Sequence, residues 1–193
     1  DKINVLGVNV STLSRKDALA RIESFLIQGK PQLVTPNPEI LLEASHDQEL
    51  FEILNKADLA VADGVGLKIA AWLLGKNLCR VSGSDLLKDI LVMAEARGRR
   101  VAVFNWKNGL SSSGDIERAL AGKYPKLRAL AVEVEQGIAI SESALAQSLE
   151  FAPEIIFSTL GSPYQEKFIF HNLPNLPSVK VGIGVGGAFD FLT

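Results

Sequence analysis

Leu59-Ala-Val-Ala62-Asp63-Gly64-Val-Gly66 reads as a short strand that ends on an acid and a glycine. Four apolar residues in succession, without alternation, suit a strand covered on both faces. A parallel sheet sandwiched between helices supplies that cover. Five other runs are built the same way: Gln32-Leu-Val-Thr35, Arg100-Val-Ala-Val-Phe104, Ala129-Leu-Ala-Val-Glu133, Glu154-Ile-Ile-Phe-Ser158 and Val179-Lys-Val-Gly-Ile183. Helical spacing fills the gaps between them. Ser14 with Asp17 reads as a capping box ahead of Ala18, Leu19, Ile22, Phe25 and Leu26. Ser84 leads a second helix with Leu86, Leu87, Ile90, Leu91 and Met93, stopped by Gly98 as a left-handed cap. Ser141 starts a third, with Leu145 and Leu149 turned inward, and Trp72 in the apolar run Val65–Leu74 reads as core. The expectation is an α/β, Rossmann-like fold with a mainly parallel six-stranded sheet flanked by helices. Ile3–Leu6 with Val8 and Val10 reads as a small hairpin outside that sheet, and residues 1–193 as one domain.

Composition narrows the function classes. The chain has 193 residues, 47% of them apolar, enough to bury a core without disulfides or a structural metal. Twenty basic against 22 acidic side chains leave a formal charge of -2, which argues against nucleic acid as a partner and against disorder. The single cysteine, Cys79, excludes an internal disulfide and a cysteine zinc cluster. His46 and His171 lack metal-ligand spacing. The apolar run Val65–Leu74 contains Lys68 and falls short of the roughly 18 residues of a spanning helix. The opening Asp1-Lys2-Ile3 has no basic and apolar leader. These features predict an intracellular protein with neither metal nor cofactor, and a short apolar domain of this kind is open to self-association.

Open α/β sheets bind ligands in the crevice beyond the carboxyl ends of their strands. The polar and glycine-rich clusters fall there. Thr35-Pro-Asn37-Pro-Glu39 follows the first core strand and Asp63-Gly64-Val-Gly66 the second; Gly161-Ser-Pro163-Tyr-Gln165-Glu166-Lys167 follows the fifth and Gly184-Val-Gly186-Gly187-Ala-Phe-Asp190 the sixth. Helices that start at such loops aim unpaired N–H groups at the crevice, so an anionic ligand is expected. Asp63 either projects into that crevice or caps the helix that starts near Gly64. Thr35 and Asn37 have the same two readings, since Thr-Pro-Asn-Pro also makes a capped turn. Gln165 and Glu166 could simply favour a helix dipole, and His171, late in that helix, reads as an exposed or dipole-satisfying side chain.

Other chemistries lack their motifs. Gly182-Ile-Gly184-Val-Gly186-Gly187 satisfies a dinucleotide fingerprint literally, but the sequence as given leaves no room for the helix and the acid about 20 positions on. An NAD-type oxidoreductase is therefore the weaker alternative, and tight glycine bends explain the run. There is no GxxxxGK[ST], no GxSxG and no Asp-x-Asp pair for a divalent cation. Trp106, just past a strand, reads as a loop anchor or a stacking surface.

Five blocks, in order and spacing, resemble the WecG/TagA/CpsF family of bacterial glycosyltransferases: Thr35-Pro-Asn37-x-Glu39-Ile, Ala62-Asp63-Gly64-x-Gly66, Arg80-Val81-x-Gly83-x-Asp85, Gly161-x-Pro163-x-Gln165-Glu166-Lys167 and Gly184-Val-Gly186-Gly187-x-Phe189-Asp190. The resemblance implies inverting, metal-independent transfer of a sugar, typically N-acetylmannosamine, from a UDP-sugar donor. The acceptor it implies is N-acetylglucosamine on undecaprenyl diphosphate, in teichoic acid or other envelope polysaccharide synthesis. By the same resemblance Asp63 is the general base and Thr35, Asn37 and Gln165 position substrate. Arg80 meets the diphosphate, and Gly184, Gly186, Gly187 and Asp190 approach the nucleotide, with Gly64 and Gly161 in the same binding surface. A degenerate, non-catalytic nucleotide-sugar-binding module is the alternative. The sequence departs from the family at Phe104-Asn-Trp-Lys, where glycines are frequent, at Gly137-Ile138, where Gly-Tyr is, and at Phe168, where tryptophan is. Family members continue with a basic, aromatic C-terminal segment tied to membrane attachment and to arginines that complete the site. The sequence as given stops at Thr193, before such a segment, so the expectation is a cytoplasmic protein that is peripheral at the inner membrane face when full length.

Overall fold

The computed structural model describes residues 2–27, 29, 31–73 and 75–193. Asp1 and Leu74, the first residue of the opening and the last of the apolar run, lie outside the described residues. In chain order the elements are β1 (Lys2–Val5), β2 (Val8–Ser11), α1 (Arg15–Phe25), β3 (Gln32–Val34), α2 (Pro38–Ala44), α3 (Gln48–Lys56), β4 (Leu59–Ala60) and α4 (Val65–Leu73). They continue as α5 (Gly83–Ala96), β5 (Arg100–Trp106), α6 (Ser113–Lys123), β6 (Arg128–Val134), α7 (Glu142–Phe151), β7 (Ile155–Ser158), α8 (Tyr164–Asn172) and β8 (Val181–Gly184).

All six apolar runs become strands of one parallel sheet, ordered β4-β3-β8-β7-β5-β6. Each side of every central strand is buried, as the unbroken apolar runs require. Along β5, Val101 and Val103 join α1, α5 and α6 on one face, while Ala102 and Phe104 join α7 and α8 on the other. A third cluster covers the β3–β4 end of that second face, with the β1–β2 hairpin, α2, α3 and α4. The hairpin is antiparallel, as expected, and touches the main sheet through a bridge between Ser11 and Val61.

The connections decide where a crevice opens. From β5 the chain leaves through α6 to β6 on one side; from β7 it leaves through α8 to β8 on the other. The helices lie on opposite faces, so the loops after β5 and β7 diverge. Such a reversal is where doubly wound sheets hold ligands.

Three local expectations need correction. The cap residue of α5 is Ser82, not Ser84, and it makes no side-chain capping bond. Leu149 is 46% exposed, because α7 packs along the edge strand β6 and buries only Ala144 and Ser148. Trp72 is 74% exposed, since α4 turns only Leu67 and Ala71 toward the β1–β2 hairpin cluster. Gly98 does end α5 with a positive φ of 62°, and the Ser14 cap of α1 accepts from the Asp17 N–H.

Candidate active site

Two cavities meet at the carboxyl edge of the sheet. One, of about 380 Å³, lies at the divergence of β5 and β7, among Asn105, Trp106, Thr159, Gly161 and Gly186. The other, of about 490 Å³, lies over β3 and β4, among Thr35, Asp63, Ser82, Gly83 and Ser84. Leu110, Gly187 and Asp190 line both, so they form two lobes of one crevice. Each lobe is of the size that small ligands occupy.

Asp63 joins the two readings its sequence position allowed. Its backbone N–H donates to the Pro36 carbonyl at 2.9 Å, which fixes the turn after β4. Its Oδ2 accepts the Gly83 N–H at 3.0 Å. Asp63 therefore caps α5, the helix that starts 20 residues later, and not α4 beside it. Oδ1 has no hydrogen-bond partner among the described residues, and Asp63 faces the second lobe. Position 83 is tight: a Cβ would lie 3.1 Å from Asp63 Oδ2 and 3.9 Å from Thr35 Oγ1, so a larger residue would push on the Asp63 carboxylate. Buried Thr35 thus lies next to the same helix start, its hydroxyl 3.5 Å from the Gly184 carbonyl.

The glycine loop is held from behind. After β8 the chain makes a 3-10 turn over Gly186–Phe191 rather than the α-helix of a dinucleotide site. Gln165 is buried and does not line either lobe; its Oε1 accepts the Gly186 N–H at 2.7 Å. A Cβ on Gly184 would fall 2.7 Å from the Gln165 side chain, so residue 184 must be small for the prop to reach the loop. Gln165 Nε2 in turn donates to Glu166 Oε1 at 2.8 Å. Glu166 is 1% exposed and its Oε2 has no partner, so burial pushes its carboxyl above the ordinary range. Next to it, Lys167 pairs with Asp47 at 2.6 Å and Glu49 at 3.0 Å, tying α8 to the start of α3. His171 completes this cluster on Glu49 at 2.7 Å.

Of the residues expected at the site, the crevice gathers Thr35, Asp63, Gly161, Gly186, Gly187 and Asp190. Gln165 and Gly184 stand directly behind it. Asn37, Gly64 and Arg80 do not line it. Asn37 caps α2, its Oδ1 accepting the Ile40 N–H at 2.8 Å, and Gly64 turns beside it with a φ of 92°. Arg80 is exposed and has no ion pair among the described residues.

Sequence reasoning missed the polar frame of the first lobe. Buried Asn105 donates to the Ser111 carbonyl at 2.9 Å and accepts from the Thr159 hydroxyl at 2.9 Å. Thr159 Oγ1 also accepts the Trp106 N–H at 3.0 Å. The Ser111 hydroxyl donates to Asp190 at 2.6 Å, which ties the 3-10 turn to this frame. An Asn that ends an apolar run was the visible signal for Asn105; Ser111 and Thr159 carried none.

A family model described as the glycosyl transferase WecG/TagA/CpsF family matches residues 3–193. The chain belongs to this family. The relatives it resembles include the Bacillus subtilis (strain 168) N-acetylglucosaminyldiphosphoundecaprenol N-acetyl-beta-D-mannosaminyltransferase, 30% identical over 158 residues. That match covers 81% of this chain and 60% of the relative. Enzymes of the same name from Staphylococcus aureus (strain MRSA252) and Bacillus spizizenii are 28% and 31% identical, over 98% and 86% of this chain. The chain covers 74% and 64% of these two. Among the described residues no helix is long and apolar enough to cross a membrane.

Proposed function

We propose that the crevice transfers a sugar, N-acetylmannosamine by the relatives' names, from a UDP donor to N-acetylglucosamine on undecaprenyl diphosphate. The observation that carries this is Asp63: one carboxylate oxygen held on the α5 N-terminus, the other unpartnered in a wall of the second lobe. A transfer with inversion needs one such base. Asp63 Oδ1 takes the proton of the acceptor hydroxyl as that oxygen bonds to the anomeric carbon from the face opposite the nucleotide. The bond from that carbon to the diphosphate oxygen breaks, and its electron pair leaves with UDP. Diphosphate is a good leaving group, so no second carboxylate acid is required and no metal enters the scheme.

In this reading the nucleotide occupies the lobe between β5 and β7, where half-buried Trp106 offers a flat face to a base and Asp190 a polar edge. Ser82 and Ser84 at the start of α5, with the Gly187 backbone, face the developing anion. Arg80 meets an acceptor diphosphate arriving from solvent. The protein works at the inner membrane face, where such an acceptor resides. Asp63→Asn is the test. Asn keeps an oxygen for the Gly83 N–H but removes the base, so turnover falls by about 10²–10⁴-fold. UDP-induced thermal stabilisation and the melting temperature should stay near the native values. Native-like turnover would leave Asp63 as a helix cap and nothing more.

A further inference from the structure

We propose that the outer face of α4 docks on an anionic lipid bilayer, a surface separate from the crevice. Val65, Ile69, Trp72 and Leu73 lie at the spacing of one helical stripe and are between 52% and 74% exposed. Val65, Ile69 and Trp72, with Lys68 and the returning segment Gly75–Leu78, line an open trough of about 660 Å³. Large apolar side chains contiguous on a surface mark an interaction site rather than random exposure.

The charges choose the occupant. From Gly64 to Ser84 the sequence has Lys68, Lys76 and Arg80 and no Asp or Glu, in a chain whose net charge is -2. None of the three has an acidic partner among the described residues; Lys16, Lys88 and Lys126 share that state, so what sets this face apart is the acid-free stretch itself. An apolar stripe with a tryptophan and flanking lysines is the make-up of a helix that lies in the interface plane. Acidic head groups would supply the missing counter-charges, at about five-fold in partitioning for each cation. Because α4 starts two residues after Asp63, docking would bring the crevice to the surface that carries a lipid-linked acceptor. This last step alone rests on the transferase reading.

The experiment is vesicle sedimentation of the 193-residue chain with phosphatidylcholine alone and with mixed phosphatidylcholine–phosphatidylglycerol. It is repeated for Ile69→Ser/Trp72→Ser and for Lys68→Gln/Lys76→Gln. All four side chains are exposed and none belongs to the crevice, so the fold and turnover of a water-soluble short-chain acceptor should be retained. The expected result is binding to the mixed vesicles that weakens in high salt. It should fall more than ten-fold in the serine variant and about 25-fold in the glutamine variant. Failure of the native chain to bind mixed vesicles overturns the proposal, as does native-like binding by both variants. A native dimer that the serine variant dissociates, with vesicles left unbound, puts a second copy on this face and also overturns it. Vesicle binding without turnover of the soluble acceptor supports docking and fails the transferase reading instead.

Discussion

Two carboxylates stand just beyond the ends of parallel strands, Asp63 behind β4 and Glu166 behind β7, and the fold puts them to opposite uses. Asp63 is half-buried, gives one oxygen to the Gly83 N–H and turns to a lobe of the crevice. Glu166 is 1% exposed, accepts the Gln165 amide on Oε1, and has its second carboxyl oxygen without a partner among the described residues. The first environment leaves one carboxylate oxygen open to a ligand; the second favours a neutral acid that steadies a prop. Both are carboxylates that follow the carboxyl end of a sheet strand, Asp63 in a turn and Glu166 in the first turn of α8. What differs is access to solvent and the number of N–H groups offered, and these assign the role.

The sharpest way to break this contrast, beyond Asp63→Asn, is Gln165→Ala. The substitution deletes the acceptor of the Gly186 N–H and the amide that donates to Glu166 Oε1, in a buried site. A stability loss of about 2–4 kcal/mol is expected, from an emptied volume plus stranded polar groups. Chemical denaturation measures it. A loss under about 1 kcal/mol would mean that the glycine loop holds its shape without the prop.

Glu166→Gln sharpens the contrast through pH. Burial raises the folded carboxyl above its ordinary value of 4.5, so below that value both folded and unfolded chains hold the proton. As pH climbs toward the raised folded value, the unfolded chain has released its proton and the folded chain has not. Stability therefore falls with pH across this window and levels off above it. Glutamine has no proton to lose, so the difference between native and variant denaturation midpoints should open above pH 4.5 in the variant's favour. Parallel profiles would mean that Glu166 titrates as an exposed acid does. Asp47 and Glu49 are shifted the other way by hydrogen bonds, from Lys167 and from His171 respectively. They lose their contribution on the acid side, alike in both proteins, and cancel in the comparison.

The scaffold was legible because its signal is local. Unbroken β-branched runs name the six strands, and the rule that loops at their carboxyl ends bear ligands located the crevice. What stayed hidden is what depends on packing between distant segments. The bond from Gly83 to Asp63 spans 20 residues, and no periodicity announces it. The Gln165 prop looked like a pocket residue, since a buried amide behind a loop and an exposed one in front of it have the same sequence neighbours. Trp72 was misread for a third reason: α4 is apolar nearly all round, a pattern that usually means burial. At the β1–β2 side only Leu67 and Ala71 find a surface to cover, and the remaining stripe faces outward.

The smallest effect tests where the Asp63 region stops. Asn37 shares the first family block with Thr35, yet its Oδ1 is committed to the Ile40 N–H and it lines neither lobe. Asn37→Ala should therefore cost about 0.5–2 kcal/mol, the usual loss for an N-cap. Turnover and both KM values should stay unchanged once the protein is folded. Asn37→Asp separates the two roles more cleanly, because Asp caps as well as Asn and adds a charge that the helix N-terminus welcomes. If Asp restores stability and turnover together, Asn37 is a structural cap. If it restores stability while KM for the sugar donor or the acceptor rises, the Asn37 amide meets substrate. The catalytic side of the contrast would then reach across the turn to α2.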